Sequence, residues 1–343
     1  MNNSDINSMK IGVVGAGSWG TALADLLSCK GYLVDLWVFE TELKKEMEKS
    51  RENKIFLPGV TLSENLQPTN NLEKAVVDKD LVLVVVPSHL VRQTAQKMEP
   101  LLNKNTIILS ASKGIENKTH LTMSGIYKEI LTQIPFDQIA VLSGPSFAKE
   151  VARKVPTVIT VACPSKKLAC LIQHLFATPF FRVYTHTDLI GVELGGSVKN
   201  VIAIAAGVVD GLKLGLNTRA ALITRGLTEI RRLGLKMGAN PRTFGGLAGV
   251  GDLILTCTGD LSRNHTIGKK IGEGNKLADL LSRMQMVAEG VKTAKSVYNL
   301  SRKLEVEMPI CHAIYHILYD DLDPLTAVKQ LMTRDLKQEL DEY

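Results

Sequence analysis

Four side chains in this sequence have the type and setting to do chemistry. Lys199 lies in ELGGSVKNVIAIAAGVVDGLKLG, residues 193–215, and is followed by Asn200 and then nine uncharged residues, Val201 to Val209. Burial disfavours an ammonium ion, so a lysine at the mouth of a buried helix has a lowered pKa and can exchange a proton near neutrality. The plainer reading is a lysine that snorkels to solvent from a core helix. Lys113 closes the run Ser110-Ala111-Ser112-Lys113-Gly114, where it is either a ligand-facing cation or a surface loop lysine. Asp252 opens an apolar turn one turn before Thr256; it either orients an ammonium or caps its own helix. Arg263, between Ser262 and Asn264, stands at a predicted helix start, where a guanidinium beside free amides suits a phosphate. Its alternative is one more exposed arginine.

These residues need a frame, and the frame begins with a glycine run. Lys10–Val14 is a short apolar strand, Gly15-Ala16-Gly17-Ser18-Trp19-Gly20 follows at once, and Thr21–Leu27 has a helical pattern. G-x-G-x-x-G between strand and helix permits a tight turn and the close approach of a pyrophosphate, with the helix N-terminus facing the negative charge. A second strand, Leu33–Phe39, ends at Glu40, about 20 residues on, where an acid would take a ribose 2′-hydroxyl. A glycine turn that merely packs is the alternative.

Further strands are expected at Leu81–Val86, Thr106–Leu109, Ile139–Leu142, Thr157–Ala162 and Phe181–Tyr184. The run LVLVVV is continuous, as in a strand buried on both faces of a parallel sheet. The strands end in small or polar residues, and in open α/β sheets ligands bind outside those carboxyl ends. His89, after one of them, reads as structural. A charged helix is expected over Glu42–Arg51. After Thr187 the pattern turns wholly helical, with an apolar stripe at Ile223, Leu227, Ile230 and Leu233 and later helices near 290–304, 309–319 and 324–332. The reading is thus α/β, with domains at 9–192 and 193–343.

Composition narrows the classes. Hydrophobic residues are 45% and charged residues 22%, the balance of a soluble globular protein. The net charge of +6, with no run of five or six Lys/Arg, suits an anionic small molecule better than nucleic acid. Five scattered cysteines without C-x-x-C spacing point to reduced thiols in a cytoplasm and to no metal site. The opening MNNSDINSMK lacks the apolar segment of a signal peptide. The apolar run after Lys199 is shorter than the roughly 20 residues that span a bilayer, so no stable membrane insertion is expected.

GAGSWGTALA, SKGIE, LSGPSFAKEV, ELGGSVKNVIAIAAGVVDGL, NPRTFGGLAGVGDLILTCTG, LSRN and VAEGVKT, in that order from about residue 9 to about 330, resemble the bacterial NAD(P)-dependent glycerol-3-phosphate dehydrogenase family. The resemblance implies a Rossmann-type N-terminal domain and an all-helical C-terminal domain, a 6-phosphogluconate-dehydrogenase-like arrangement, with the active site between them. It implies interconversion of sn-glycerol 3-phosphate and dihydroxyacetone phosphate, feeding phospholipid synthesis, by a homodimer using NAD or NADP. Lys199 is then the catalytic acid/base, Lys113 meets both cofactor and substrate, and Asp252 belongs to the catalytic set. Gly144, Ser146, Asp252, Ser262, Arg263 and Asn264 hold the substrate. Gly15, Gly17, Ser18, Trp19, Gly20, Phe39, Glu40, Ala148, Arg263, Val287 and Glu289 surround the cofactor. One departure stands out: Phe39 and Glu40 offer no positive charge to a 2′-phosphate unless Lys44 or Arg51 folds back, which favours NAD. The rivals are another two-domain hydroxyacid dehydrogenase and a non-catalytic dinucleotide sensor, which would have little need of Lys113, Lys199 and Asp252 together.

Overall fold

The computed structural model describes residues 8–282, 288–336, 338 and 339. Eight strands form one sheet: β1 (Ile11–Val14), β2 (Val34–Trp37), β3 (Leu66–Thr69), β4 (Leu81–Val84), β5 (Ile107–Ser110), β6 (Ile139–Ser143), β7 (Thr157–Ala162) and β8 (Phe181–His186). Their spatial order is β3-β2-β1-β4-β5-β6-β7-β8. All neighbours run parallel except β6 and β7, which are antiparallel. The chain therefore reverses its winding between β1 and β4, and the crevice outside their carboxyl ends is the expected place for a ligand.

Both faces of the sheet are covered, and strands β1, β4, β5 and β6 are buried at every position. Leu81 and Leu83 enter one core with Ile11, Val13 and Leu36; Val82 and Val84 enter another with Val14, Ile126 and Tyr127. The first seven helices serve this sheet: α1 (Ser18–Cys29), α2 (Thr41–Ser50), α3 (Leu72–Val76), α4 (Val91–Met98), α5 (Met123–Ile130), α6 (Ala148–Ala152) and α7 (Lys166–Phe176).

From Leu189 onward the named elements are helical: α8 (Leu189–Gly211), α9 (Gly215–Lys236), α10 (Asp252–Thr258), α11 (Arg263–Gly272), α12 (Leu277–Ser282), α13 (Glu289–Lys303), α14 (Pro309–Tyr319) and α15 (Pro324–Met332). They share a third core built on α8. The α/β class with a helical second half therefore stands.

Three expectations change. The strand β3, Leu-Gln-Pro-Thr, had no signal in an apolar run; it is an edge strand, where a proline missing its N–H is tolerated. The strands β7 and β8 point away from the ligand side, because β7 reverses against β6. The Lys199 helix is longer than its apolar run: α8 has 23 residues, long and apolar enough to cross a membrane, yet its most apolar window is entirely buried within the protein. Lys199 accordingly sits mid-helix rather than at its mouth.

The helix α8 meets α11 backbone to backbone. A Cβ on Gly207 would stand 2.0 Å from the His265 carbonyl oxygen, and one on Gly268 would stand 2.0 Å from that of Ile204. Any larger residue at either position would have to push the helices apart.

Candidate active site

The glycine run divides its labour as a phosphate loop requires. Gly15 has φ +116°, and a Cβ there would lie 2.7 Å from the Val85 carbonyl oxygen. A Cβ on Gly20 would lie 1.9 Å from the Gly15 oxygen, so this glycine lets α1 start tight against the turn. Gly17 differs from both: nothing of the protein lies within 4 Å of its missing Cβ. Its bare face opens on a cleft of about 700 Å³. No side chain caps α1, so its leading amides point there too. Trp19 lines the same cleft, and its buried Nε1 has no acceptor among the described residues. These features fit a bound dinucleotide.

The carboxyl ends of four strands feed this cleft. After β1 come Gly15–Gly20; after β2, Phe39 and Glu40; after β4, Val85–Pro87; after β5, Ala111–Lys113. The Ser18 hydroxyl donates to the Phe56 carbonyl at 2.5 Å and braces the loop. Ser146 lines the wall and donates to the Gly144 carbonyl at 3.0 Å. The helical half supplies Asn200, Arg263, Asn264, Ala288 and Glu289.

Behind Lys113 lies a sealed charge cluster. Lys199 is 5% exposed and Asp252 is 0% exposed. The Lys199 Nζ donates to Asp252 Oδ1 and, at 2.9 Å, to the Thr256 hydroxyl. The Lys113 Nζ donates to Asp252 Oδ2 at 2.9 Å. One carboxylate thus clasps two ammonium groups, one deep and one at the cleft wall. Burial pulls the Lys199 pKa down from 10.5 to about 7; Asp252 pushes it up and Lys113 pushes it down. An amine so placed can exchange a proton near neutral pH.

The backbone explains how Asp252 arrives there. A π-helical turn, Leu247–Gly251, precedes α10 and carries an extra residue, as such turns do at functional sites. It fits against α8 because Gly195 has no Cβ; one there would stand 2.3 Å from the Ala248 carbonyl oxygen. Asp252 does not cap α10, whose N-cap is Gly251, so its carboxylate is left for the lysines.

Around Arg263 the site is open rather than sealed. Its guanidinium lines the cleft and makes no hydrogen bond to the described residues, while the enclosing walls lower its pKa against the opposing pull of Glu289. Glu289 Oε1 accepts from the Ser88 amide at 3.0 Å and ties the two halves together. Burial raises the Glu289 pKa. Asn264 Oδ1 accepts from the Gly290 amide at 3.0 Å, and the Ser262 side chain caps α11 by accepting from His265.

The structure thus gathers Gly15, Gly17, Ser18, Trp19, Gly20, Phe39, Glu40, Lys113, Ser146, Arg263, Asn264 and Glu289 on one cleft, with Lys199 and Asp252 directly behind it. Gly144, Ala148 and Ser262 stand off the wall: Gly144, at φ +145°, turns the chain against Ile159, Ala148 opens α6, and Ser262 is occupied as a cap. Val287 lies outside the described residues. Asn200 went unread in sequence; its only signal was adjacency to Lys199, since a helix turns successive residues to different sides. His89 is exposed and does not line the cleft.

Residues 10–169 match the family described as the N-terminus of NAD-dependent glycerol-3-phosphate dehydrogenase, and residues 188–329 match its C-terminus. A glycerol-3-phosphate dehydrogenase [NAD(P)+] of Syntrophobacter fumaroxidans is 56% identical over 331 residues, covering 96% of this chain and 97% of the relative. Its counterpart in Citrifermentans bemidjiense is 57% identical over 330 residues, covering 96% and 98%. The crystal structure of glycerol-3-phosphate dehydrogenase from Coxiella burnetii superposes with a TM-score of 0.92 at 40% identity, covering 96% of this chain and all of that one.

Proposed function

The chain belongs to the NAD-dependent glycerol-3-phosphate dehydrogenase family, and on that premise we propose how its own residues interconvert sn-glycerol 3-phosphate and dihydroxyacetone phosphate. The observation that carries the assignment of roles is the clasp of Lys199 and Lys113 on the buried Asp252, opening on a cleft with a bare-faced glycine loop. The nicotinamide dinucleotide, held by Gly15–Gly20 with Phe39, Glu40 and Glu289 along its length, supplies the acceptor or donor of a hydride.

Lys199 handles the proton. In oxidation its neutral amine takes the proton of the substrate C2 hydroxyl; in reduction its ammonium returns one to the carbonyl oxygen and steadies the developing alkoxide. Asp252 fixes the direction of that nitrogen and, with Thr256, leaves it one free position for substrate. Lys113 keeps a second positive charge beside the reacting oxygen. Arg263, with no hydrogen bond to the described residues, binds the phosphate in a two-pronged contact, with Asn264 beside it. Remote phosphate binding then holds the reacting carbon in place. Ser146, and through the turn geometry Gly144, shape the wall against which the carbon chain lies.

The domain division at about residue 192, a homodimer and a cytoplasmic setting belong to the same reading, and so does a role in supplying glycerol 3-phosphate to phospholipids. All five cysteines are free, in keeping with a reducing compartment.

The test follows the absorbance of reduced cofactor on adding dihydroxyacetone phosphate. Rapid loss is expected. Demonstrated cofactor binding with no loss would remove the substrate assignment and restore the sensor as the better account.

A further inference from the structure

We propose that Ser197 and Ser296 are positioning residues for Lys113: they fasten the segment that carries it to the helical half, so that Lys113, Lys199 and Asp252 hold together as one group. The inference rests on the dehydrogenase reading and deepens it at the clasp. Lys113 follows β5, a strand of the sheet half, and Ser112 is still held there, its hydroxyl donating to the Val86 carbonyl at 2.6 Å. The next three residues attach elsewhere. The Lys113 Nζ donates to Asp252 Oδ2 at 2.9 Å. The Gly114 carbonyl accepts from the Ser197 hydroxyl of α8 at 3.2 Å, and the Ile115 carbonyl accepts from the Ser296 hydroxyl of α13 at 2.8 Å. The Ile115 side chain is buried in the core built on α8, whose other buried members, among the described residues, all lie from Leu194 onward.

Both serines are sealed, at 1% and 0% exposure, so bulk water does not compete for these bonds. Ser296 has a local alternative. A serine within a helix can donate back to the carbonyl four residues earlier, here that of Lys292, but this oxygen lies at 3.3 Å and the one across the halves at 2.8 Å. With one proton to give, the hydroxyl serves Ile115. A lysine carries its charge on a flexible four-carbon stem, so the place of the ammonium depends on where its backbone is held. Lys199 responds to that place. Burial lowers its pKa most, Asp252 opposes the shift, and Lys113 adds to it. Cys257, also beside Lys199, stays protonated, its thiol pushed up by burial to about 12. A Lys113 that drifted from Asp252 would therefore let the Lys199 pKa rise.

The experiment compares the double variant Ser197→Ala/Ser296→Ala with the unaltered chain, with Lys113→Ala and with Ser301→Ala. The last removes a buried hydroxyl of α13 that bonds His312 instead of the Lys113 segment. Misplacing a reacting group can cost 10²-fold, so kcat in the double variant should fall by about tenfold to hundredfold, and the pH midpoint for oxidation should move upward. The single substitutions, milder for folding, should show the same changes in smaller measure. In the Lys113→Ala background the two serine substitutions should change neither quantity further, because the group they position is gone. Normal kcat and midpoint in the double variant, an equal loss in the Lys113→Ala background, or the same changes in Ser301→Ala would each overturn the proposal. Amide hydrogen exchange over residues 110–118 reads the anchoring without turnover. It should quicken in the double variant and not in Ser301→Ala; unchanged exchange overturns the proposal. Absence of turnover in the unaltered chain would count against the dehydrogenase reading alone.

Discussion

Asp252 and Glu229 are both carboxylates sealed in the helical half, 0% and 2% exposed, and their surroundings use them differently. Glu229, on α9, accepts from the backbone amides of Ile310 at 2.6 Å and Cys311 at 3.0 Å, capping α14 from the side. Burial pushes its pKa up to about 7. Asp252 meets two lysine side chains and faces a cleft. Glu193 repeats the Glu229 pattern toward the sheet half: on α8, it accepts from the Ser124 amide at 2.7 Å and the Ser124 hydroxyl at 2.6 Å. A shifted pKa in a buried group therefore does not mark a reaction centre by itself. The partners decide. Backbone amides fixed in a helix hold an acid as a strut; lysine side chains at a cleft suit it to the proton exchange proposed above.

The sharpest way to break this contrast is Lys199→Ala. A positioned proton-transfer group is worth roughly 10²–10⁴-fold, so kcat in both directions should fall by at least that order, with cofactor Kd little changed. Stopped-flow turnover near the normal value would make the Asp252 cluster another strut. Glu229→Gln, by contrast, should leave kcat per folded molecule as it was.

Next comes the pH profile. Oxidation needs neutral Lys199 and should rise with pH through about 7; reduction needs its ammonium and should fall through the same region. Asp252 favours the ammonium, so Asp252→Asn should move both midpoints to lower pH while lowering kcat. Midpoints that stay fixed would separate Asp252 from the proton step.

The smallest effect is on stability, and the two sites give it opposite signs. Between pH 4.5 and about 7 an unfolded Glu229 has lost a proton that the folded one keeps, so raising pH favours unfolding there. Between about 7 and 10.5 an unfolded Lys199 keeps a proton that the folded one lacks, so raising pH favours folding. Thermal melts across pH should show the first slope flattened in Glu229→Gln and the second in Lys199→Met. Glu229→Ala, which strands two buried amides, should cost about 1–3 kcal/mol per group at any pH.

Much of this was legible in sequence because it is local. The glycine turn, the apolar central strands and the helices near 290–304, 309–319 and 324–332 follow from short patterns, while the grouping of Lys199, Lys113 and Asp252 in one site comes from the family resemblance of the motifs that carry them. What stayed hidden depends on distant partners. The β3 strand has no apolar run of its own and forms by pairing with β2. The direction of β7 is a matter of topology that its composition does not encode. The capping alternative for Asp252 and its pairing with lysines look alike in sequence; only the π-helical turn and the missing Cβ of Gly195 choose between them.

The paired glycines between α8 and α11 carry a consequence for selectivity. Lys199 rides on one of these helices and Arg263 on the other, and at these glycines the helices touch through main chain. Side chains can change rotamer to admit a longer guest; two backbones in contact cannot. On the proposed roles, the spacing between Lys199 and Arg263 is therefore a fixed gauge, against which a phosphorylated alcohol would be sized by length.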